Sequence, residues 1–379
     1  MKITVMQEHL QKGLGHVSRA VATKTSLPVL GNILLATDGG QLKLAATNLE
    51  IGITCWLDCA IEEEGAVTVP ARVLTDFVGN LPNDGVKLEL DRRTVALQVR
   101  AARSRATIRG IDAEDFPAIS SVEGEPTATI APDLLREMIA QVAFAAASDE
   151  SRPVLAGVHL RFEGDRLTLS AADGFRMAVR TGDLTGPARE DVSIIVPARA
   201  MNELARVLGD ARELVEILVT RGRNQLLCRS GAIEFLSRLI DGAFPDWRQI
   251  VPTGYNTRTV LGREQLLGAT KLASYFARDN NDVIKLSVKP GEGEYAPGSL
   301  TISANAAEVG DNTSDVDAAV EGPEGQIAFN VRYLGDVLST LKSPQVALEM
   351  QGPSSAGVIR PVGNTDCTHV IMPMHLASY

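Results

Sequence analysis

Arg72, Arg199 and Arg332 carry the first chemical signal in this sequence. Each stands two residues after Pro70, Pro197 or Asn330, in VTVPARVLTDFVGNL, IIVPARAMNELARVL and IAFNVRYLGDVLSTL. The apolar spacing that follows predicts a helix, so each guanidinium falls in a first helical turn. Free N–H groups and the helix dipole favour an anion there, and a guanidinium adds a fork that fits phosphate. One arginine in such a place is most often a solvated charge. Three at one repeated position point to a polyanion. Lys12, Arg19, Lys24, Arg136, Arg206, Lys271 and Arg278 add positive charge on or just after further predicted helices. No segment resembles a base-reading element, so the contacts implied are to backbone phosphate and independent of base sequence.

Other chemistries are weaker. Cys55 and Cys59 are spaced C-x3-C inside the apolar IGITCWLDCA, with no second Cys or His pair nearby. A zinc site needs four convergent ligands, so buried thiols are expected, with Cys228 and Cys367 likewise. His9 and His16, seven apart on the first predicted helix, read as a solvated face, and His159, His369 and His375 fit no ligand motif. Asp112, Glu114 and Asp115 in IDAEDFP could be a two-metal carboxylate site, but a charge run is more often a solvated loop. No Walker loop or G-x-G-x-x-G is present. The sequence therefore predicts no catalytic site, no metal and no cofactor.

The formal net charge is −10, which opposes nucleic-acid binding if taken alone. Charge acts only within a Debye length of about 8–10 Å, however, so an acidic chain can still present a basic lining. Hydrophobic residues at 45% and charged residues at 22% are ordinary for globular domains with real cores. The opening MKITVMQEHL lacks a basic-then-apolar leader, and no apolar run approaches the roughly 18 residues of a membrane span. A cytoplasmic protein with no membrane partner is expected.

These residues are positioned by three copies of one unit. An amphipathic helix is predicted from Met6, from Ala131 and from Leu261; Leu10, Leu14 and Val17 share a face, as do Leu135, Ile139 and Val142, while the third copy is less regular. A strand and a second helix follow. Leu74, Phe77, Val78 and Leu81 have the spacing of Met201, Leu204, Ala205 and Leu208 and of Leu334, Val337, Leu338 and Leu341, at offsets of 127 and 133 residues. Pro70 and Pro197 sit where a first-turn proline is tolerated, and Asn330 replaces them as a cap. Each unit ends on an apolar residue and Pro: Phe116-Pro117, Phe244-Pro245 and Met372-Pro373, 128 residues apart. With turn-separated Leu/Val/Ile strands such as those around Asp38-Gly39-Gly40, each unit reads as a layered α+β domain with antiparallel strands. The expected domains are 1–123, 124–254 and 255–379, with an exposed low-complexity loop at Lys289–Gly298.

The motifs TSLPVLGNILL (Thr25–Leu35), VPAR (Val69–Arg72), RSRATI (Arg103–Ile108), DFP (Asp115–Pro117), ADGFRMA (Ala172–Ala178), DGAFPDWRQIVP (Asp241–Pro252) and VIMPM (Val370–Met374) resemble the β sliding clamp of bacterial DNA polymerase III, in order along the whole chain. The resemblance implies an α+β fold of three tandem clamp domains, helices inside and antiparallel sheets outside, in a head-to-tail homodimeric ring. It implies a non-catalytic processivity factor that encircles duplex DNA, is opened by a clamp loader, and tethers the polymerase III catalytic subunit and other proteins through a short peptide motif. Closed rings are also what repeated heterologous contacts produce.

The resemblance places one half of the peptide pocket at Leu155, Ala172, Gly174, Phe175, Arg176, Met177, Pro245, Gln249, Ile250, Val370 and Met372. The other half is Asn330, Tyr333, Ser354, Ala356, Pro373, Met374, His375 and Leu376. It makes Lys24, Arg72, Arg136, Arg199, Arg206 and Arg332 the DNA-facing cations. At the dimer interface it sets Arg103, Arg105 and Ile108 against Phe276 and Glu308. The chain departs from the family at Ala172, Phe175, Gln249 and His375, and in continuing through Ala377, Ser378 and Tyr379. Asp149 stands where an amide that contacts DNA is common. Two other readings stay open: a three-repeat scaffold that binds only proteins, and a carboxylate metalloenzyme.

Overall fold

The computed structural model describes residues 1–119, 124–149, 151–209, 211–292, 296–306, 308 and 310–375. They group into two compact units, Met1–Asp133 with Thr185–Arg189 and Glu203–Leu239, and Leu134–Leu184 with Glu190–Asn202 and Ile240–Tyr379.

The first unit holds two antiparallel sheets. One has five strands, in the order Ala60–Glu63, Lys2–Met6, Gly85–Asp91, Ala96–Ala101, Ser104–Arg109. The other has eight, in the order Ala128–Ile130, Val215–Val219, Gln225–Ser230, Ile233–Arg238, Ile51–Asp58, Gln41–Thr47, Asn32–Asp38, Ala66–Pro70. Alternation along a strand decides which side chains are inside: Ile3 and Val5 are buried while Lys2, Thr4 and Met6 are not. Against these sheets lie the helices Gln7–Val17 and Ala71–Gly79, which bury Leu10, Leu14, Val17, Leu74 and Val78.

The second unit contains one twelve-stranded antiparallel sheet, in the order Val192–Pro197, Gly157–Glu163, Arg166–Ala172, Arg176–Asp183, Cys367–Ile371, Gly357–Pro361, Gln345–Met350, Thr257–Gly262, Gly310–Glu321, Gly298–Ala306, Val283–Lys289, Gly325–Asn330. The helices Arg263–Ala277 and Val331–Thr340 pack Leu266, Ala273, Leu334 and Leu338 onto Leu286, Ile302, Phe329 and Leu348. The first of these buries mainly small residues, which explains its weak periodicity, and leaves Leu272 and Tyr275 each 53% exposed.

Sheets run through both expected repeat joints. Ile233–Arg238 pairs with Ile51–Asp58, Leu236 opposite Gly52. Arg176–Asp183 pairs with Cys367–Ile371, Met177 opposite Val370. Elsewhere pairing stops. Ser104–Arg109 is the edge of its sheet, and Gly310–Glu321 has a second neighbour only over Ala318–Glu321, so 310–317 are paired on one side alone.

The strand–helix signal is present in all three copies, as Ala66–Pro70 into Ala71–Gly79, Val192–Pro197 into Ala198–Val207, and Gly325–Asn330 into Val331–Thr340. The prolines differ from expectation. Pro70 and Pro197 close the strands rather than enter the helices, and Pro70 is the N-cap position. Fixed φ and a missing N–H suit a strand end as well as a first turn. Asn330 does cap, its Oδ1 accepting from Arg332 N at 2.9 Å. No described helix is long and apolar enough to cross a membrane.

Candidate functional site

The joint Arg176–Asp183/Cys367–Ile371 organises most of the expected pocket. Ala172, Met177, Val179, Val358 and Val370 form a buried apolar cluster, with Phe244, Trp247, Val251 and Ala356 packed against it. Strand alternation puts Met177 and Val179 on one face, and the register brings Val370 between Met177 and Val358. Phe175 and Met372 stand exposed at 58% and 44%, joined by Met372 N donating to Phe175 O at 2.8 Å. Pro245, Gln249 and Ile250 are exposed on the loop and the single helical turn Trp247–Ile250. Leu155 is half-buried in the segment before Gly157–Glu163, outside this cluster.

The second half is a cleft of about 370 Å³, lined by Gln326, Ile327, Ala328, Pro353, Ser354, Met372, Pro373, Met374 and His375. Met374 N donates to Ala328 O at 2.8 Å and so holds the terminal segment along that strand. Met372 is common to both expected halves by its place beside Phe175. Asn330 and Tyr333 do not line this cleft; Asn330 caps its helix, and Tyr333 packs against the core. Leu376 and the tail Ala377–Tyr379 lie outside the described residues.

Arg176 ties the site together. Its Nε lies 3.0 Å from Asp173 Oδ2, its Nη1 2.5 Å from Asp336 Oδ2, and its Nη2 donates to Phe144 O at 2.8 Å. The guanidinium sits 4.4 Å from the Tyr333 ring centre. At 13% side-chain exposure this arginine orders the pocket wall rather than presenting a free charge. Burial, with the Asp173 carboxylate beside it, pushes the Tyr333 hydroxyl above its ordinary range, so it stays a neutral donor.

Val179, Phe244, Trp247, Val251 and Val358 belong to the apolar cluster, and Gln326, Ile327 and Ala328 to the cleft, without having been expected there from the sequence. Val179 follows from Met177 by alternation. Trp247 and Val251 were legible in DGAFPDWRQIVP as apolar residues at helical spacing. Val358 and Ala328 needed the strand pairing, which no local pattern gives.

The repeated arginines are each the second residue of a helix, and all three are exposed. Arg72 Nε lies 3.6 Å from Asp76, and Arg332 Nη2 lies 2.8 Å from Asp282. Lys24 is exposed, Arg136 half-buried, and Arg206 ion-paired with Glu203. Asp149 accepts from Ser151 N at 2.9 Å and from its hydroxyl at 2.5 Å, and these bonds lower its carboxyl below the usual range.

Of the residues expected at a dimer interface, Arg103, Arg105 and Glu308 are exposed. Ile108 is not: it is 6% exposed inside its own unit. Phe276 is half-buried against the core of the second unit. The helix turns Phe276 inward because its neighbours Ala273 and Ala277 are the buried face, which leaves Tyr275 as the outward aromatic. Cys55, Cys228 and Cys367 are buried, and burial pushes their thiols up to about 11, 12 and 12. Cys59 is only half-buried, against expectation.

Residues 1–120, 129–246 and 248–375 match the N-terminal, central and C-terminal domains of the DNA polymerase III beta subunit. The beta sliding clamp of Synechococcus elongatus is 32% identical over all of both chains. That of Pseudomonas aeruginosa is 34% identical over 99% of this chain and 100% of its own. The DNA polymerase sliding clamp of Bacillus subtilis superposes with a TM-score of 0.92 at 28% identity, covering 99% of each chain. Three tandem clamp domains and a DNA polymerase sliding-clamp role follow. The chain belongs to the DNA polymerase III beta subunit family.

Proposed function

We propose that two copies of this chain close head to tail into a ring of six domains around duplex DNA, with domains 1–123, 124–254 and 255–379. One observation carries this reading. Sheets continue through two repeat joints, and among the strand edges left open two carry opposite charge. Ser104–Arg109 carries Arg105 and Arg109 with Arg103 beside it, and the half-paired 310–317 carries Asp311, Asp315 and Asp317 with Glu308 beside it. An open edge is a template for another strand, and opposite charges select the right one. Leu272 and the outward Tyr275 supply exposed apolar surface in the second unit.

In this ring the repeated helices face the duplex, and Lys24, Arg72, Arg136, Arg199, Arg206 and Arg332 meet phosphates without reading bases. The apolar cluster and the adjoining cleft take the Gln-Leu-x-Leu-Phe type of segment, its Leu-Phe end against Met177, Pro245, Val370 and Met372. Its Gln lies near Met374. Through this pocket the polymerase catalytic subunit, the clamp loader and other proteins dock in the cytoplasm, and the ring itself makes or breaks no bond.

The test is retention. Loaded on closed circular DNA, the protein stays bound, and cutting the circle releases it. A monomer by light scattering at micromolar concentration, or equal loss from circular and linear DNA, would refute the ring. Equal loss is what a protein-only scaffold predicts, a reading favoured by the carboxylates already paired with Arg72 and Arg332.

A further inference from the structure

The sheet joint of the first unit repeats the main-chain pattern of the joint beneath the proposed pocket. Asn48 Oδ1 accepts from Glu50 N at 3.0 Å and Ile51 N at 2.9 Å. Asp173 Oδ1 accepts from Phe175 N at 2.8 Å and Arg176 N at 3.0 Å. Arg238 N donates to Glu50 O at 2.9 Å, as Met372 N does to Phe175 O at 2.8 Å. Beside this joint lies another cleft, of about 270 Å³.

The equivalence sets the chemistry of that cleft. Leu236 stands where Val370 stands, Gly52 where Met177 stands, and Arg238 where Met372 stands. Pro117 and Ile119 take the places that Pro245 and Trp247 hold 128 residues later. Gly52 leaves the space a methionine would fill, and Ile119 closes on it: a Cβ on Gly52 would lie 3.2 Å from Ile119 Cγ2.

Leu49 is the odd residue. It holds φ 75, where the equivalent Gly174 holds φ 97. Side-chain-bearing residues seldom adopt that region, so the leucine is held there at a cost in backbone strain. The same turn forms with glycine in the second unit, so the backbone does not need the side chain. Leu49 is 48% exposed on the wall of the cleft.

We infer that this cleft is a second docking site, for a short peptide segment with aliphatic side chains and an acidic residue. Leu49, Ile51, Ile119 and Leu236 offer the aliphatic surface. Arg238 selects the acid: it is exposed, and no carboxylate is paired with it among the described residues. Its fork fits a carboxylate in two-point geometry. The exposed Glu50, one backbone bond away, repels an acidic group at its own end and so fixes the direction of the peptide. The inference stands on the first unit alone and does not require the ring or the first pocket.

The probe is the peptide Glu-Leu-Ser-Leu-Leu, with a control carrying Lys for Glu, titrated into the full chain with labelled Ile, Leu and Met methyl groups. The Ile51, Ile119 and Leu236 methyls shift and saturate, and the Lys control binds about fivefold more weakly, the size of one exposed ion pair. Arg238→Glu reverses that preference. Leu49→Gly, which preserves the turn, weakens binding about tenfold, as loss of an apolar anchor does. Met372 and Met374 report the first pocket separately. Shifts there with Ile119 unmoved overturn the inference and leave that pocket standing; Ile119 shifts without them support the inference, and a separate Gln-Leu-x-Leu-Phe titration judges the first pocket. Ile119 shifts that follow protein concentration with no peptide present give the cleft to a second copy of the chain, and also overturn it.

Discussion

The joint at Ile51–Ser237 and the joint at Arg176–Ile371 share one backbone and differ in what fills it. Where the first places Ile51, 8% exposed and apolar, the second places Arg176 with its carboxylates and its aromatic ring. Where the first buries Phe235, the second buries His369, fully enclosed, with Nε2 3.3 Å from Cys367 Sγ and Nδ1 unpartnered. The main-chain hydrogen bonds tolerate either set, because they are satisfied within the sheet whatever the side chains are. The repeat therefore fixes the frame, and each joint is free to acquire its own polarity.

Acid should separate the two joints most. Burial pushes the His369 imidazole down to about 3 from its ordinary 6.5. The folded state refuses a proton that the unfolded chain accepts, so the stability this group leaves intact near neutrality is lost as pH falls from about 6.5 toward 3. Phe235 has no proton to gain. Hydrogen exchange at pH 7 and pH 4, corrected for intrinsic rates, is expected to show Cys367–Ile371 opening in acid before Ile233–Arg238. His369→Phe narrows the difference, and equal acid response in both joints would contradict the assignment.

A smaller effect separates their ligands. Met372→Ala should weaken a Gln-Leu-x-Leu-Phe peptide by roughly 1–3 kcal/mol, more than Gln249→Ala at the rim, since buried apolar anchors dominate such interfaces. Arg238→Ala should leave that titration unchanged. The smallest effect lies in the two turns. Gly174→Leu should destabilise by about 1–2 kcal/mol, the cost of a left-handed conformation for a residue with a Cβ, while Leu49→Gly costs at most about 0.5 kcal/mol as relief of strain offsets the flexibility of glycine. Thermal melts of the pair decide it, and a large loss from Leu49→Gly would show that the leucine holds the turn.

Much of this is legible in the amino-acid sequence. Apolar spacing located all three strand–helix pairs, and the cap at Asn330 followed from residue type alone. Pocket residues on Ala172–Met177 and Val370–Met374 came from the family resemblance, and local periodicity could not have joined two segments nearly two hundred residues apart. What stayed hidden depended on pairing or helix rotation. Val358 enters the site only because its strand lies beside Val370. Phe276 and Tyr275 are adjacent in sequence, and only the packing of Ala273 and Ala277 decides which faces out. Leu49 was invisible because nothing in TNLEIG announces a left-handed leucine.

The carboxylates beside Arg72 and Arg332 bear on how the proposed ring would move. A guanidinium already held by Asp76 or Asp282 exchanges one oxygen for another when a phosphate comes past. It gains little at any one register and loses little on leaving it. With a net charge of −10 on the chain, the long-range field does not press the duplex against the wall. The landscape along the helix axis is then nearly flat, so friction is low and a threaded ring travels by diffusion while topology alone keeps it from leaving.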